Sequence, residues 1–256
     1  MKRILALLAV LLAVLPLNAQ RRDSVYTASE QFKVTKLIAP VTLVTLGSVF
    51  AFSPWYQNGV NVPVRDWMQS QPGNHDFRLD NYTQFMPIAA YGIAAASGAG
   101  KHSFWEQLMT GLTSYGLMIA TVQIIKKATA NPRPDTPNKG LADSFPSGHT
   151  ATAFLGAELI RLEYGPWWGL AAYSVAITTG FLRVWNNWHW TSDVIAGAGV
   201  GILCANAAYW LLPLERKLFH LDSKMVNGQH YRFHAVPYAA RTPYGSCYGV
   251  SLAYTW

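Results

Sequence analysis

The chain has 256 residues, enough for one full core, and nothing in its composition suggests a second domain. Hydrophobic residues make up 51% and charged residues only 13%, yet a mean hydropathy of +0.12 is low for a purely membrane-embedded protein, so soluble or peripheral segments must dilute any spans. A net charge of +7 suits an anionic partner such as a lipid head group or phosphate ester; the basic residues are scattered without a run or stripe, which argues against nucleic acid, and two cysteines make no disulfide framework.

At the N-terminus, Lys2 and Arg3 precede the apolar run Ile4 to Leu17, and Leu17-Asn18-Ala19 offers a small-residue cleavage site before Gln20. This is the pattern of a secretory signal over residues 1–19; the alternative is an uncleaved anchor. The run is about 14 residues, short against the roughly 20 a bilayer needs. Residues 20–81 are expected to form a polar N-terminal segment. Within it, Leu37 to Phe52 is apolar and uncharged but interrupted by Pro40 and Gly47, and is expected to fall short of a complete independent span. Ser53 to Asn81 carries Pro and Gly, with a short helix expected at Val64 to Ser70.

Apolar helical segments then follow at Tyr82 to Ala99, Gln107 to Ile125, Thr150 to Ile160, Trp167 to Leu182 and Val194 to Leu212. Short connections such as Gly100 to Ser103 and Arg161 to Pro166 imply antiparallel neighbours, so residues 82–213 read as a helical bundle. In the tail, 214–256, the residues Tyr248, Val250, Leu252, Tyr254 and Trp256 alternate with small or polar ones, the period of a half-buried strand. His230 to Tyr238 would be its hairpin partner, with Pro243-Tyr244-Gly245-Ser246 in the turn. The fold class is therefore mainly α, a membrane-associated bundle of about five to six helices with a short C-terminal β-hairpin. Ten Trp and 13 Tyr are rich for a soluble enzyme and suit an interfacial aromatic belt.

Three clusters of polar residues interrupt the apolar segments: Lys126 with Arg133-Pro134 after six residues, then Pro146-Ser147-Gly148-His149, then Arg183, His189 and Asp193. A phosphoryl group in transfer spreads negative charge over three equatorial oxygens, and Lys126, Arg133 and Arg183 supply three cations to meet it. The arginine forks match phosphate geometry. Ser147 and the Gly148 N–H sit where the next helix begins, an anion-binding position, and Gly148 permits close backbone approach. His189 and Asp193 are four apart, so on a helical turn the carboxylate can fix the imidazole tautomer and leave the other nitrogen as a nucleophile. His149 is then free to protonate the leaving alcohol. Each cluster alone is ordinary: Arg-Pro is a common helix exit, and cations beside apolar spans are usually interfacial anchors. All three in order are not.

Together, Lys-x6-Arg-Pro, Pro-Ser-Gly-His and Arg-x5-His-x3-Asp resemble the signature of the type-2 phosphatidic acid phosphatase superfamily, which includes membrane lipid phosphatases, soluble bacterial acid phosphatases and vanadium haloperoxidases. The resemblance implies a helical bundle and a phosphatase that needs no metal or other cofactor and works through a phosphohistidine. It implies His189 as nucleophile, Asp193 as its orienting partner, His149 as the acid, and Lys126, Arg133, Ser147, Gly148 and Arg183 as phosphate ligands. One departure is Leu182, where the family usually has Ser before the arginine. Gln107 to Ile125 and Val194 to Leu212 each run 19 residues without a charge, which favours the membrane lipid-phosphatase branch. The expected substrate is a lipid phosphate monoester or diphosphate: phosphatidylglycerophosphate, phosphatidic acid, undecaprenyl diphosphate or a lipid A phosphate. The alternatives are a periplasmic nonspecific acid phosphatase, a haloperoxidase, or a silent lipid-binding protein that kept the fold. Arg216-Lys217 places the face opposite the catalytic loops in the cytoplasm, hence the site on the periplasmic side of a bacterial inner membrane. A cleaved signal followed by a full span at Leu37 to Phe52 would instead place it inside.

Overall fold

A computed structural model describes residues 32–98, 100–135 and 143–219, together with the backbone of 232–242 and 245–255. The signal at residues 1–19 lies outside the described residues. Six long helices run alternately between two faces: α1 (Thr35–Phe52), α5 (Met86–Ala96), α6 (Phe104–Thr129), α7 (Gly148–Tyr164), α8 (Pro166–Trp185) and α9 (Thr191–Phe219). Between α1 and α5 the chain forms α2 (Pro54–Tyr56), a π-helical turn (Gln57–Asn61), α3 (Val62–Ser70) and α4 (Asp80–Thr83). These short elements lie across one end of the bundle.

The helix α7 is the axis of the bundle, packed by α5, α6, α8 and α9. Its small residues allow this. A Cβ at Gly201 of α9 would collide with the Ala151 carbonyl, so the two backbones lie in contact. Such small-residue contacts are how helices associate where lipid removes the hydrophobic drive between them. The sequence places a break in the first apolar segment at Pro40 and Gly47, but α1 runs unbroken through both. Both residues are buried against α9: a Cβ on Gly47 would lie 2.5 Å from the Ala196 backbone N. The glycine there seats one helix on another.

α6 starts with a capping box, Ser103 accepting from the Glu106 N–H and Glu106 from the Ser103 N–H. Glu106 also accepts from Arg216 Nε at 2.6 Å, tying the start of α6 to the end of α9. At this same end the buried Glu163 accepts from His102 N and Nδ1, each at 2.7 Å, and from the Tyr209 hydroxyl at 2.8 Å. A buried carboxylate is tolerated only when satisfied in this way.

The outer surface is apolar: Leu112, Ile119, Ile124, Leu170, Ile177 and Phe181 are all exposed. Large apolar side chains exposed along separate helices in this way mark a membrane-facing surface. Trp105 and Trp167 stand exposed at one end, Trp55 and Trp67 at the other. These are the two aromatic belts of a membrane protein. α1, α6 and α9 are long and apolar enough to cross a membrane.

Beyond α9 a hairpin pairs β1 (Arg232–Thr242) antiparallel with β2 (Gly245–Thr255), Phe233 opposite Tyr254 and Thr242 opposite Gly245. The strands continue past the turn expected from sequence, leaving only positions 243 and 244 between them.

Candidate active site

Four helix ends meet at the face covered by residues 53–81: the C-termini of α6 and α8 and the N-termini of α7 and α9. Lys126 lies in the last turn of α6, which closes at Ala130 in the left-handed conformation (φ 43°). Ser147 caps α7: its Oγ accepts from Thr150 N at 3.4 Å and from Thr150 Oγ1 at 2.9 Å. Its own N–H donates to the Asp193 carbonyl at 3.0 Å, so α7 and α9 begin against each other. Ser147 is fully buried and its acceptor capacity is spent on this cap, leaving only its hydroxyl hydrogen for another group. A Cβ on Gly148 would meet nothing nearer than Val122 Cγ1 at 3.8 Å, so the protein's own packing does not demand glycine there.

Between α8 and α9 the chain makes a tight turn. The Arg183 carbonyl accepts from both Trp188 N (3.0 Å) and His189 N (3.2 Å), and Asn187 takes a left-handed φ of 58°. This places His189 directly before α9. Asp193, in the first turn of that helix, reaches back to the Trp190 N–H at 3.0 Å. The same Oδ2 lies 3.4 Å from His189 Nδ1 and accepts from Ser144 Oγ at 2.5 Å. Ser144 Oγ is itself 3.4 Å from His189 Nδ1. Nδ1 thus faces an acid and a hydroxyl, and Nε2 is the ring nitrogen without a protein partner among the described residues. Burial first, and then the charge of Arg183, hold His189 well below its ordinary pKa, so its imidazole is neutral at physiological pH.

The cations are held as carefully. Arg183 donates from one terminal nitrogen to Asp80 Oδ2 at 2.5 Å, inside a buried pair, while its Nε is buried without an acceptor among the described residues. Asn186 donates to the other Asp80 oxygen at 3.2 Å. Arg133 donates from Nε to Asp143 Oδ1 at 2.8 Å, and Lys126 donates to the Asp143 carbonyl oxygen. Trp188 lies against both guanidinium groups, 5.3 Å from Arg133 and 5.1 Å from Arg183, and spaces them by cation–π contact. His149 Nε2 donates to Asn81 Oδ1 at 3.0 Å, which sets the ring's orientation.

All eight residues singled out in the sequence therefore gather at one end of the bundle. Asp80, Asn81, Asp143, Ser144, Asn186 and Trp188 belong with them and were not singled out. Ser144 stands directly before Phe145-Pro146-Ser147, and Trp188 directly before His189, so their positions were a signal. Asp80 and Asn81 carried none, because their partners lie 103 and 68 residues away. Leu182, where the family usually has Ser, is buried in the last turns of α8.

This arrangement can surround an anion of tetrahedral shape and present His189 Nε2 to it, with His149 beside them; burial first, and then the charge of Arg183, lower the His149 pKa to about 4, so its ring is neutral until a bound anion offsets the cations. Over 156 residues the chain is 38% identical to the lipid A 1-phosphatase of Porphyromonas gingivalis, covering 59% of this chain and 34% of that protein. Over 74 residues it is 38% identical to the bacitracin transport permease protein BcrC of Bacillus licheniformis, covering 28% of this chain and 34% of that one. It spans about a third of the length of these curated relatives. The crystal structure of a transmembrane PAP2-type phosphatidylglycerolphosphate phosphatase from Bacillus subtilis has the same fold, with a TM-score of 0.51, 16% identity, and coverage of 70% of this chain and 96% of that one. Residues 107–217, which hold the three clusters, match the family model of the PAP2 superfamily.

Proposed function

We propose that the protein is a membrane phosphatase acting on a lipid phosphate monoester or diphosphate through a phosphohistidine. The observation that carries this reading is His189: buried, neutral, held through Nδ1 by Asp193 and Ser144, and close to three cations, Lys126 in the last turn of α6, Arg133 just beyond it and Arg183 in the last turn of α8. Lys126, Arg133 and Arg183 would neutralise the phosphoryl oxygens, with the Gly148 N–H and the Ser147 hydroxyl completing the cradle. His189 Nε2 attacks phosphorus; the N–P bond forms as the P–O bond to the lipid breaks, and His149 gives its proton to the departing oxygen. Water, deprotonated by His149, then attacks the phosphohistidine, releasing inorganic phosphate and restoring the neutral imidazole. Asp193 stabilises the charge that His189 carries between the two steps.

The candidate lipids are phosphatidylglycerophosphate, phosphatidic acid, undecaprenyl diphosphate and lipid A phosphate. The similarity to a lipid A 1-phosphatase puts lipid A first in the panel. The site would face the periplasm from a bacterial inner membrane. The test is phosphate release by the purified protein from each of the four lipids, with His189→Ala as control. Replacing the nucleophile should lower turnover of every substrate by at least about a thousandfold. A variant that retains turnover would refute the assignment of His189. Release of the wild-type protein from membranes by salt alone would point instead to a soluble acid phosphatase.

A further inference from the structure

Two of the three cations at the site share one partly exposed anion. Asp143 Oδ1 accepts from Arg133 Nε at 2.8 Å, and Oδ2 lies 3.9 Å from Lys126 Nζ. Among the described residues no other side chain meets the Asp143 carboxylate, and 42% of its side chain is exposed. Asp80, the carboxylate on the third cation, differs in both respects: its side chain is only 2% exposed and it has a second partner in Asn186. Asp80 is built into the bundle, whereas Asp143 can swing into solvent without leaving its own charge buried and unpaired. Its main chain would stay in place meanwhile, because Lys126 also donates to the Asp143 carbonyl. Burial pushes the Asp143 carboxyl up, but the Arg133 hydrogen bond and the charge of Lys126 more than offset this, so it is ionised at neutral pH.

We propose that Asp143 is a resident anion of the phosphate site, which occupies Arg133 and Lys126 until a phosphate displaces it and so keeps phosphodiester head groups out. The proposal rests on the reading of this site as one for phosphate. Displacing the carboxylate costs the same whatever arrives. The return differs: a terminal phosphate brings a charge of about −1.5 to −2, a phosphodiester only a single one. A doubly charged phosphate end can therefore take the cations from Asp143, and a singly charged diester cannot. A site opening onto a membrane needs this selectivity, because diester head groups surround it at high local concentration.

The experiment measures binding of inorganic phosphate, orthovanadate and dimethyl phosphate to the full-length protein in detergent, as wild type, Asp143→Asn and Asp143→Ser. Both variants should bind phosphate and vanadate more tightly, by about tenfold, the scale of one charge-assisted hydrogen bond no longer opposed. Dimethyl phosphate, without effect on the wild type, should become a measurable ligand. Variants that melt cooperatively but bind phosphate no tighter than wild type would overturn the proposal and leave Asp143 as a positioning residue for the two cations. Loss of cooperative melting in both variants would overturn it as well, since Asp143 would then be structural. Wild-type protein that binds neither phosphate nor vanadate would refute the phosphate site itself, an outcome separate from either of these.

Discussion

A histidine can attack phosphorus only with a free lone pair, and His189 obtains one by being buried among cations that repel its proton. The sign follows directly: its folded-state pKa is depressed, so the neutral form persists as pH falls through 6.5 and gives way only well below it. In a protein labelled with ¹⁵N-histidine, the His189 ring should keep the signature of neutral imidazole at pH 6; a midpoint near 6.5 would contradict that burial. The proposed mechanism gives His149 the opposite duty, donating a proton; burial and then Arg183 lower its pKa to about 4, so the charge of the bound phosphate has to raise it. Removal of His149 should matter most where the leaving oxygen is basic. His149→Ala should lower turnover of a lipid phosphate by about 10²-fold or more, while p-nitrophenyl phosphate, whose leaving group needs no proton, loses less than about tenfold. Equal losses on both substrates would argue against the acid role. At this scale the charged residues were legible because a chain with so few charges marks each one. Their supports were not. Asp80 reads as a surface acid, and Asn81 and Ser144 read as loop polars, until the fold brings them to Arg183, His149 and Asp193.

Helices were legible by their apolar runs, and their errors have two physical causes. One is polar residues satisfied inside the bundle. The sequence bounds one apolar segment at Thr150 and Ile160, but α7 runs from Gly148 to Tyr164. Glu158, buried, accepts from Arg161 at 2.6 and 2.7 Å, from Tyr173 at 2.6 Å and from Asn206 at 2.7 Å, so its charge interrupts nothing. The other cause is small residues that serve contacts between helices, which composition alone reads as breakers. α1 is the case in point, with Gly47 against Ala196 and the Pro40 carbonyl and Val44 against Gly199. Gly47→Leu should therefore push α1 off α9. Overpacking of this kind costs about 1–3 kcal/mol and more where backbone must move. Ala196 lies one turn from Asp193, so activity should fall along with the melting temperature in detergent. A Leu variant as stable and active as wild type would show that α1 is a dispensable flank.

The whole molecule has two unlike ends. The site end carries Lys126, Arg133 and Arg183 around the candidate phosphate site, and Arg65 and Arg78 there are paired with Asp66 and Asp76. The other end collects Lys36 at the start of α1, Lys101 before α6 and Lys217 at the end of α9, together with Arg161 and Arg216, which are paired with Glu158 and Glu106. Cations flanking spans accumulate on the cytoplasmic side, so this end should be cytoplasmic and the site exported. The α8 helix, with 20 residues rising about 30 Å between the two ends, matches the hydrocarbon thickness that separates them. Because α1 is a complete helix starting at the cationic end, Thr35 must lie in the cytoplasm in this orientation. A secretory signal cleaved at Ala19 would leave it on the opposite side. The two expectations drawn from the sequence, a cleaved signal and a periplasmic site, thus exclude each other once α1 spans. The charge asymmetry favours the periplasmic site. A two-stranded hairpin leaves its edge groups unpaired and cannot cross lipid, so the C-terminus stays on the side where α9 ends. A reporter fused after Trp256 should accordingly be active if it is one that works in the cytoplasm and silent if it requires export; the reverse result would place the site in the cytoplasm and make residues 1–19 an exported signal.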